Sequence, residues 1–555
     1  MTDLDPVTLE VLRNRLDTIA EEMESTLLRS SCSPLVKEGL DASASLFTLD
    51  GVTLAQACAI PIHLGTLIPA VGKIIETFPV AQMREGDVYI LNDPYCGGTH
   101  LPDVAVVMPV MAEGRPLALA AAMTHHQDVG GKTAGSVPTD STEIWQEGLR
   151  LPALRWAREG AFDPGLTEIL RLNTRVPEVF LGDLHAQVAA CKVAAIRLGE
   201  TAARHGANLL PAAFAALLDR SETMTRAALR RLPEGTWRFT DQLDNDGIDI
   251  DRRIRIEVAV TLKDGAAHFD LTGTSDQVRG PVNCVPSGSL AAACYAVRAA
   301  TDPAIPNNGG CFRPITLTLP EGSLVNPTPP APVNARTATI KRITGCMLGA
   351  LAQAQPERAP APHASELVVM AFGGRRRDGR RFVTGDLLSG GSGGGPDRDG
   401  VDAIETDATN CMNVPAEAME LDAPIRVRRC ALRPGTGGPG RWRGGLGLVK
   451  EFEILADADG TVSYSHRGER HFAAAPGAEG GAPGGLAKSE IVRADGARET
   501  IPSKTVTTLK PGDRVIVGTA GGGGWGDPAT RPAAAIAEDR ANGKIEPESA
   551  PEPAP

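Results

Sequence analysis

The chain has 555 residues, 42% of them hydrophobic and 22% charged, an ordinary globular composition with enough length for two or more domains. Its net charge of -12 argues against nucleic acid or an anionic membrane as partner, since both select basic surfaces. No basic-then-apolar leader opens it and no uninterrupted apolar span suits a membrane helix, which predicts a cytoplasmic protein. The ten scattered cysteines include no Cys-x-x-Cys pair and read as free thiols, many of them buried.

Leu9, Leu12, Leu16, Ile19 and Met23 recur at helical spacing, so the N-terminus is predicted to form an amphipathic helix whose stripe is core. Asp5 and Pro6 suit its N-cap and first turn. A strand-rich segment from about residue 45 to 125 follows. Within it, Val88-Tyr89-Ile90-Leu91 leads into the turn residues Asn92-Asp93-Pro94. Two further apolar runs, Val104 to Met111 and Leu117 to Met123, flank Ala112-Glu113-Gly114-Arg115-Pro116, which reads as a hairpin turn. Pro109 inside the first of these strands suggests an edge or a bulge.

A Gly-rich loop, Gly130 to Ser136, then leads toward Glu143-Ile144-Trp145. From about 178 to 231 the chain is Ala- and Leu-rich, predicting one long helix or a pair interrupted near Pro211. Ile254 to Leu262 alternates with period two, Lys263-Asp264-Gly265 turns, and His268 to Leu271 returns, a β-hairpin. A short helix around Leu290 to Ala300 comes next, and the segment from about 380 to 530 is rich in Gly, short strands and turns. The expected class is α+β, with mixed, mostly antiparallel sheets, a long helical segment and a Gly-rich, β-rich C-terminal half. Its regions would be 1–232, carrying the candidate site, 233–535, and a disordered tail at 536–555 that includes Glu546 to Pro551.

Three glycine-rich segments imitate nucleotide sites. Gly131-Lys132-Thr133 lacks the P-loop glycine five positions earlier, where His126 stands. Gly521, Gly523 and Gly526 fit G-x-G-x-x-G, but Asp527-Pro528 interrupts the helix start and too little chain follows for a βαβ half. Close backbone packing or a subunit contact is the expectation for these glycines. Gly390 to Gly395 meets Pro396 rather than Lys and a hydroxyl.

The chemistry concentrates in Asn92 to Asp103 and Thr124-His125-His126-Gln127-Asp128. If the hairpin is roughly symmetric about Gly114, Asp103 and His125 oppose each other, and His100 can fold back onto the same spot. A one-residue change of register would substitute His126. Two imidazoles and one carboxylate suit Zn, Mn or Fe(II) and leave positions open for water or substrate. Asp93 and Asp128 are candidates to orient the ligating imidazoles. Cys96 lies beside the site, but nothing in the sequence supplies it with a base, and a structural role is the expectation.

On these motifs the chain resembles the hydantoinase B family, which includes N-methylhydantoinase B, the second half of 5-oxoprolinase, a caprolactamase subunit and the alpha subunit of acetone carboxylase. The resemblance begins at Asp5 to Val11 and runs through Ile62-His63-Leu64-Gly65, Asn92 to Asp103, His125 to Gly131 and Glu143 to Gly148. It continues through Gly280-Pro281-Val282-Asn283 and Arg443 to Gly447, and ends at Gly521 to Gly526. It implies His100, Asp103 and His125 as ligands of a divalent transition metal, Zn or Mn, with Asp41 joining them. It also implies a hydantoinase A-like partner subunit that binds ATP and Mg, and hence a hetero-oligomer.

The activity so implied is ATP-dependent hydrolysis of a cyclic amide: a hydantoin, oxoproline or lactam. Asp128 or Glu143 is the candidate base. A subunit of an ATP-dependent ketone carboxylase is the alternative, since the same ligands would serve it. A non-catalytic scaffold subunit is the third reading, and predicts no stoichiometric metal.

Overall fold

A computed structural model describes residues 5–545. The predicted N-terminal helix is α1 (Pro6–Ser30). Asp5 caps it by accepting from the Val7 N–H, and Pro6 occupies the first turn, where a missing N–H costs no helical bond. One further turn, α2 (Pro34–Lys37), precedes β1 (Ala42–Phe47) and β2 (Thr53–Gln56). The chain then forms α3 (Pro61–Thr77), β3 (Val88–Leu91), β4 (Asp103–Ala112), β5 (Arg115–His125), β6 (Leu154–Arg158) and β7 (Ala161–Phe162). These seven strands make one sheet in the order β2-β1-β5-β4-β3-β6-β7.

Helices cover both faces of this sheet. α4 (Pro164–Leu172), α5 (Pro177–His205) and α6 (Leu210–Leu229) follow it in the chain. Val104, Val106 and Met108 of β4 share a core with α1, α5 and α6, whereas Ala105 and Val107 pack with Leu67, Val71 and Ile74 of α3. Burial on both faces explains why β4 and β5 read as continuous apolar runs.

α3 falls inside the segment expected to be strand-rich. Pro61 starts it and Pro69 sits within it, residues that speak against a helix interior. Between α5 and α6 the chain breaks at Gly206, with φ of 88°, and Pro211 opens α6 instead of interrupting a helix. α5 is long enough to cross a membrane and an 18-residue window of it has mean hydropathy 1.4, but Asp183 and Lys192 interrupt its apolar run. It packs instead against α1, β4 and β5.

The second sheet contains β8 (Gly235–Leu243), β9 (Ile254–Lys263), β10 (Ala266–Asp270) and β11 (Ile315–Thr318) in the order β11-β10-β9-β8. β9 and β10 are the predicted hairpin, and β10 pairs with β11 in parallel. α7 (Pro286–Ala300) and α8 (Arg336–Ala352) pack together, and α8 lies on β8 and β9.

The rest is β12 (Leu367–Arg375), β13 (Arg381–Ser389), α9 (Ala416–Asp422), β14 (Ile425–Leu432), β15 (Leu448–Ile454), β16 (Val462–Arg467), β17 (Lys488–Val492), β18 (Arg498–Ile501), β19 (Lys504–Leu509), β20 (Arg514–Gly518) and α10 (Ala533–Ala541). Sheets β13-β12-β16-β19 and β14-β15-β20-β17-β18 share a core centred on Phe372, Phe452 and Tyr464. α10 occupies part of the predicted tail, and Lys544 pairs with Asp402 at 2.7 Å, so 536–545 is not the disordered segment expected. Glu546 to Pro551 lie outside the described residues.

The glycine-rich segments are stacked backbone. The Gly394 N–H donates to the Gly523 carbonyl at 2.9 Å and the Gly522 N–H to the Gly445 carbonyl at 3.0 Å. A Cβ on Gly522 would lie 2.0 Å from the Ser392 oxygen, so no other residue fits.

Candidate metal centre

The hairpin forms in the predicted register. Glu113 and Gly114 both have positive φ, 50° and 73°, the turn whose twist matches antiparallel strands. Asp103 pairs with His125, and the ladder shifts by one residue between Val110 and Met111, next to Pro109. The β3 ladder stops at Val107, so the proline lies beyond the stretch of β4 paired on both sides.

Register fixes the face. Asp103 and His125 have the parity of Ala105, Val107 and Met123, which face α3. His126 points the other way: its Nε2 lies 3.1 Å from Gln187 Oε1 of α5, and its ring packs at a tilt against Phe180, centroids 4.6 Å apart. His126 is therefore no alternative to His125. Asn92 folds the preceding loop back by donating to the Leu101 carbonyl at 2.7 Å.

That loop delivers His100, whose Nε2 lies 2.7 Å from Asp103 Oδ1. The His100 and His125 ring centroids are 5.1 Å apart. One ligand atom from each of His100, Asp103 and His125 falls within 4.8 Å of the others, and all three residues are buried. Asp41, just before β1, accepts the His125 N–H on its carbonyl at 3.1 Å. Its carboxyl stands outside the trio, 3.5 Å from His63 Nε2.

His63, in the first turn of α3, also lies 3.5 Å from Asp103 Oδ2. Arg336, opening α8, donates to the same Asp103 oxygen and, through Nε, to Thr99 Oγ1 at 2.8 Å. Asp41, His63, His125 and Arg336 line a cavity of about 50 Å³ beside the cluster. Its other walls include Leu35, Ile62, Val369 and Leu387.

The donor set fits a cation. His100 Nδ1 lies 3.1 Å from the Asn334 carbonyl, which can only accept, so that nitrogen carries the proton and Nε2 presents a lone pair. Burial and the Arg336 charge pull His100 down to about 4, so the ring is neutral at pH 7. Burial works against ionisation of Asp103, but the Arg336 guanidinium beside it helps hold the carboxyl well below the usual range. Two lone pairs thus face each other at 2.7 Å, an arrangement that a shared cation relieves. Ligand atoms bonded to one ion at about 2.0–2.1 Å stand about 3 Å apart, and here the His100–Asp103 pair is at 2.7 Å while the whole trio falls within 4.8 Å. His125 is kept neutral by burial and by the Arg336 charge, and its Nδ1 has no hydrogen-bond partner.

The other expected residues lie elsewhere. Asp128 is buried, and its oxygens accept from the N–H groups of Gly130, Gly135 and Arg175 and from the Arg175 guanidinium. It organises the Gly-rich loop and has no oxygen turned to the site. Glu143 is exposed at the start of a short 3-10 turn, and does not line the cavity. Asp93 caps a turn and pairs with Arg150 at 2.8 Å; neither it nor Asp128 touches a site imidazole. Burial pushes the Cys96 thiol up, away from nucleophilic use.

Sequence reasoning missed His63, Glu147, Asn334, Arg336 and Arg467 as site residues. Glu147 is buried, and its carboxylate accepts from the Asn334 N–H at 3.0 Å and the Val333 N–H at 3.1 Å. Two signals were present: His63 and Glu147 both sit in segments that carried the family resemblance. Arg336 offered none, being one cation in an otherwise unremarked helix.

Comparison with known proteins places the whole chain in a family. The family model for hydantoinase B/oxoprolinase matches residues 5–528. The B subunit of a putative D-/L-hydantoinase from Pseudomonas sp. strain NS671 is 32% identical, over 99% of this chain and 94% of its own. The beta subunit of the Pseudomonas jessenii caprolactamase is also 32% identical, covering 98% and 95%. The crystal structure of that organism's ATP-dependent caprolactamase superposes with a TM-score of 0.89 at 28% identity, covering 98% of this chain and 95% of that one. Nucleotide-free acetone carboxylase reaches a TM-score of 0.91 at 18% identity over 98% and 79%, a likeness of fold. The chain belongs to the hydantoinase B/oxoprolinase family.

Proposed function

We propose that this chain is the metal-bearing subunit of an ATP-dependent cyclic-amide hydrolase, working with a hydantoinase A-like partner that uses ATP and Mg. The observation that carries the reading is the buried convergence of His100, Asp103 and His125, with His125 lining the adjoining cavity. Relatives named as subunits of a hydantoinase and a caprolactamase support a hetero-oligomer acting on a hydantoin, oxoproline or lactam. The apolar walls suit the methylenes of such a ring.

His100, Asp103 and His125 would hold a divalent cation, Zn or Mn. When bound, it would polarise a substrate oxygen and acidify water. Asp41 shares the cavity, and burial pushes its carboxyl up to about 7, matched to taking a proton from water near neutral pH. We assign it that role in preference to a fourth-ligand role, and in place of Asp128 and Glu143. Burial works against charge on His63, yet Asp103 and Asp41 raise it, so it can donate a proton to the departing ring nitrogen. Arg336 holds Asp103 in place.

The test is metal content of the purified protein, with Asp103→Ala and His125→Ala, followed by ATP-dependent ring opening with the partner. About one metal per chain, lost in both folded variants, and ring opening without bicarbonate are expected. Product formation that requires bicarbonate would favour a ketone carboxylase. A wild type that never takes up metal would favour a scaffold.

A further inference from the structure

One guanidinium at the cavity has no carboxylate within ion-pair distance, although Asp103, Asp41 and Glu469 act on it from further away. Charged groups on the cavity lining are otherwise matched: Arg336 pairs with Asp103, His63 with Asp41, and Asp386 with Lys450. Arg467, the last residue of β16, lines the same cavity and is 3% exposed. Among the described residues it joins no ion pair. Its one side-chain hydrogen bond runs from Nη1 to the Asn334 carbonyl at 2.9 Å, and its buried Nε has no partner.

A buried cation with unused donors is unfavourable unless an anion arrives. The Asn334 carbonyl that Arg467 grips also receives His100 Nδ1, so the free donors lie one residue from the ligand cluster. A cation held there would add further positive charge. We propose that Arg467 is the anchor of an oxyanion subsite that holds the phosphoryl group of the activated amide beside the metal centre.

This rests on the proposed amide chemistry for the identity of the ligand, in which the partner would move the γ-phosphoryl group of ATP onto the amide oxygen and release ADP. A guanidinium matches phosphoryl oxygens with two donors at once, which a lysine cannot do. Burial and the Arg336 charge draw Arg467 down to about 9, so it stays charged at pH 7 while being poorly compensated. The subsite would hold the anion in place while the carbonyl carbon faces the ligand cluster.

Inorganic phosphate is the probe. It is titrated calorimetrically into the full-length wild type, Arg467→Gln and Arg467→Lys, before and after chelation, with metal content measured on each sample. Loss of the fork should weaken phosphate by about 10- to 100-fold with metal content unchanged. Arg467→Lys, which keeps the buried charge, should fall between, and guards against misfolding of the first variant. Acetate should bind the wild type more weakly than phosphate does. Phosphate affinity within twofold of wild type in both variants, or no phosphate binding to the metal-loaded wild type, would overturn the subsite. Arg467-dependent phosphate binding in a protein that opens no cyclic amide would keep the subsite and sink the amide reading instead.

Discussion

Glu147 acts on the candidate centre without touching it. Its oxygens accept from the N–H groups of Val333 and Asn334 and from Ser141 Oγ at 2.8 Å, and the Asn334 carbonyl in turn fixes the His100 tautomer. Burial pushes the Glu147 carboxyl up to about 7 against those donors. Glu147→Ala would leave three buried donors unsatisfied, at about 1–3 kcal/mol each, and release the Asn334 carbonyl. Metal affinity by competition with a chelator should then fall about 10- to 100-fold, the usual cost of losing an outer partner of a ligand. Glu143→Ala, on the exposed side of the same motif, should leave that affinity unchanged.

Among the elements, the β4–β5 hairpin sets the site, and its register is fixed twice. The turn demands positive φ at two residues, and a ladder from Asp103↔His125 to Ala112↔Arg115 enforces the pairing. Gly114 faces open space, so a side chain there meets only the conformational penalty. Gly114→Val should cost about 1–2 kcal/mol of stability, seen as a lower unfolding midpoint. Metal content should stay at the wild-type value, because the ladder holds His125 on the α3 face. Metal loss in a folded Gly114→Val protein would mean that the turn alone sets the register. This hairpin was legible because period-two pairing is local, whereas α3 was not: Pro61, Gly65 and Pro69 obscure a helix that packing enforces. Gly65 is needed there because a Cβ would lie 2.5 Å from that of Ala291 in α7.

Over the whole molecule, the site is assembled from remote parts of the chain. His63 comes from α3, Asp103 and His125 from the first sheet, His100 from the loop that feeds it, Asn334 and Arg336 from the entry to α8, and Arg467 from β16. Ile60, Ile62 and Val137 join one core with α8 and β12, which ties these parts together. The stacked glycine segments brace the C-terminal sheets through backbone contacts alone. Gly522→Ala should therefore destabilise by several kcal/mol, because the clash is with backbone that cannot rotate away. Gly199 in α5 has nothing within 4 Å of an added Cβ, and Gly199→Ala should gain roughly 0.5–1 kcal/mol. Thermal unfolding of both against wild type checks the contrast.

By itself the sequence determined what depends on neighbours along the chain. Asp5 and Pro6 start α1, Glu113-Gly114 turns the hairpin, and symmetry about that turn sets Asp103 against His125. Periodicity, capping and turn chemistry are short-range, so they can be read without the fold. Only tertiary structure decided between His125 and His126, because the choice depends on which face meets α3 and which meets α5. It also decided that Asp128 serves its loop, and that His63, Arg336 and Arg467 complete the cavity. Those residues meet across up to hundreds of positions, where packing of both sheet faces, and no local pattern, chooses the neighbours.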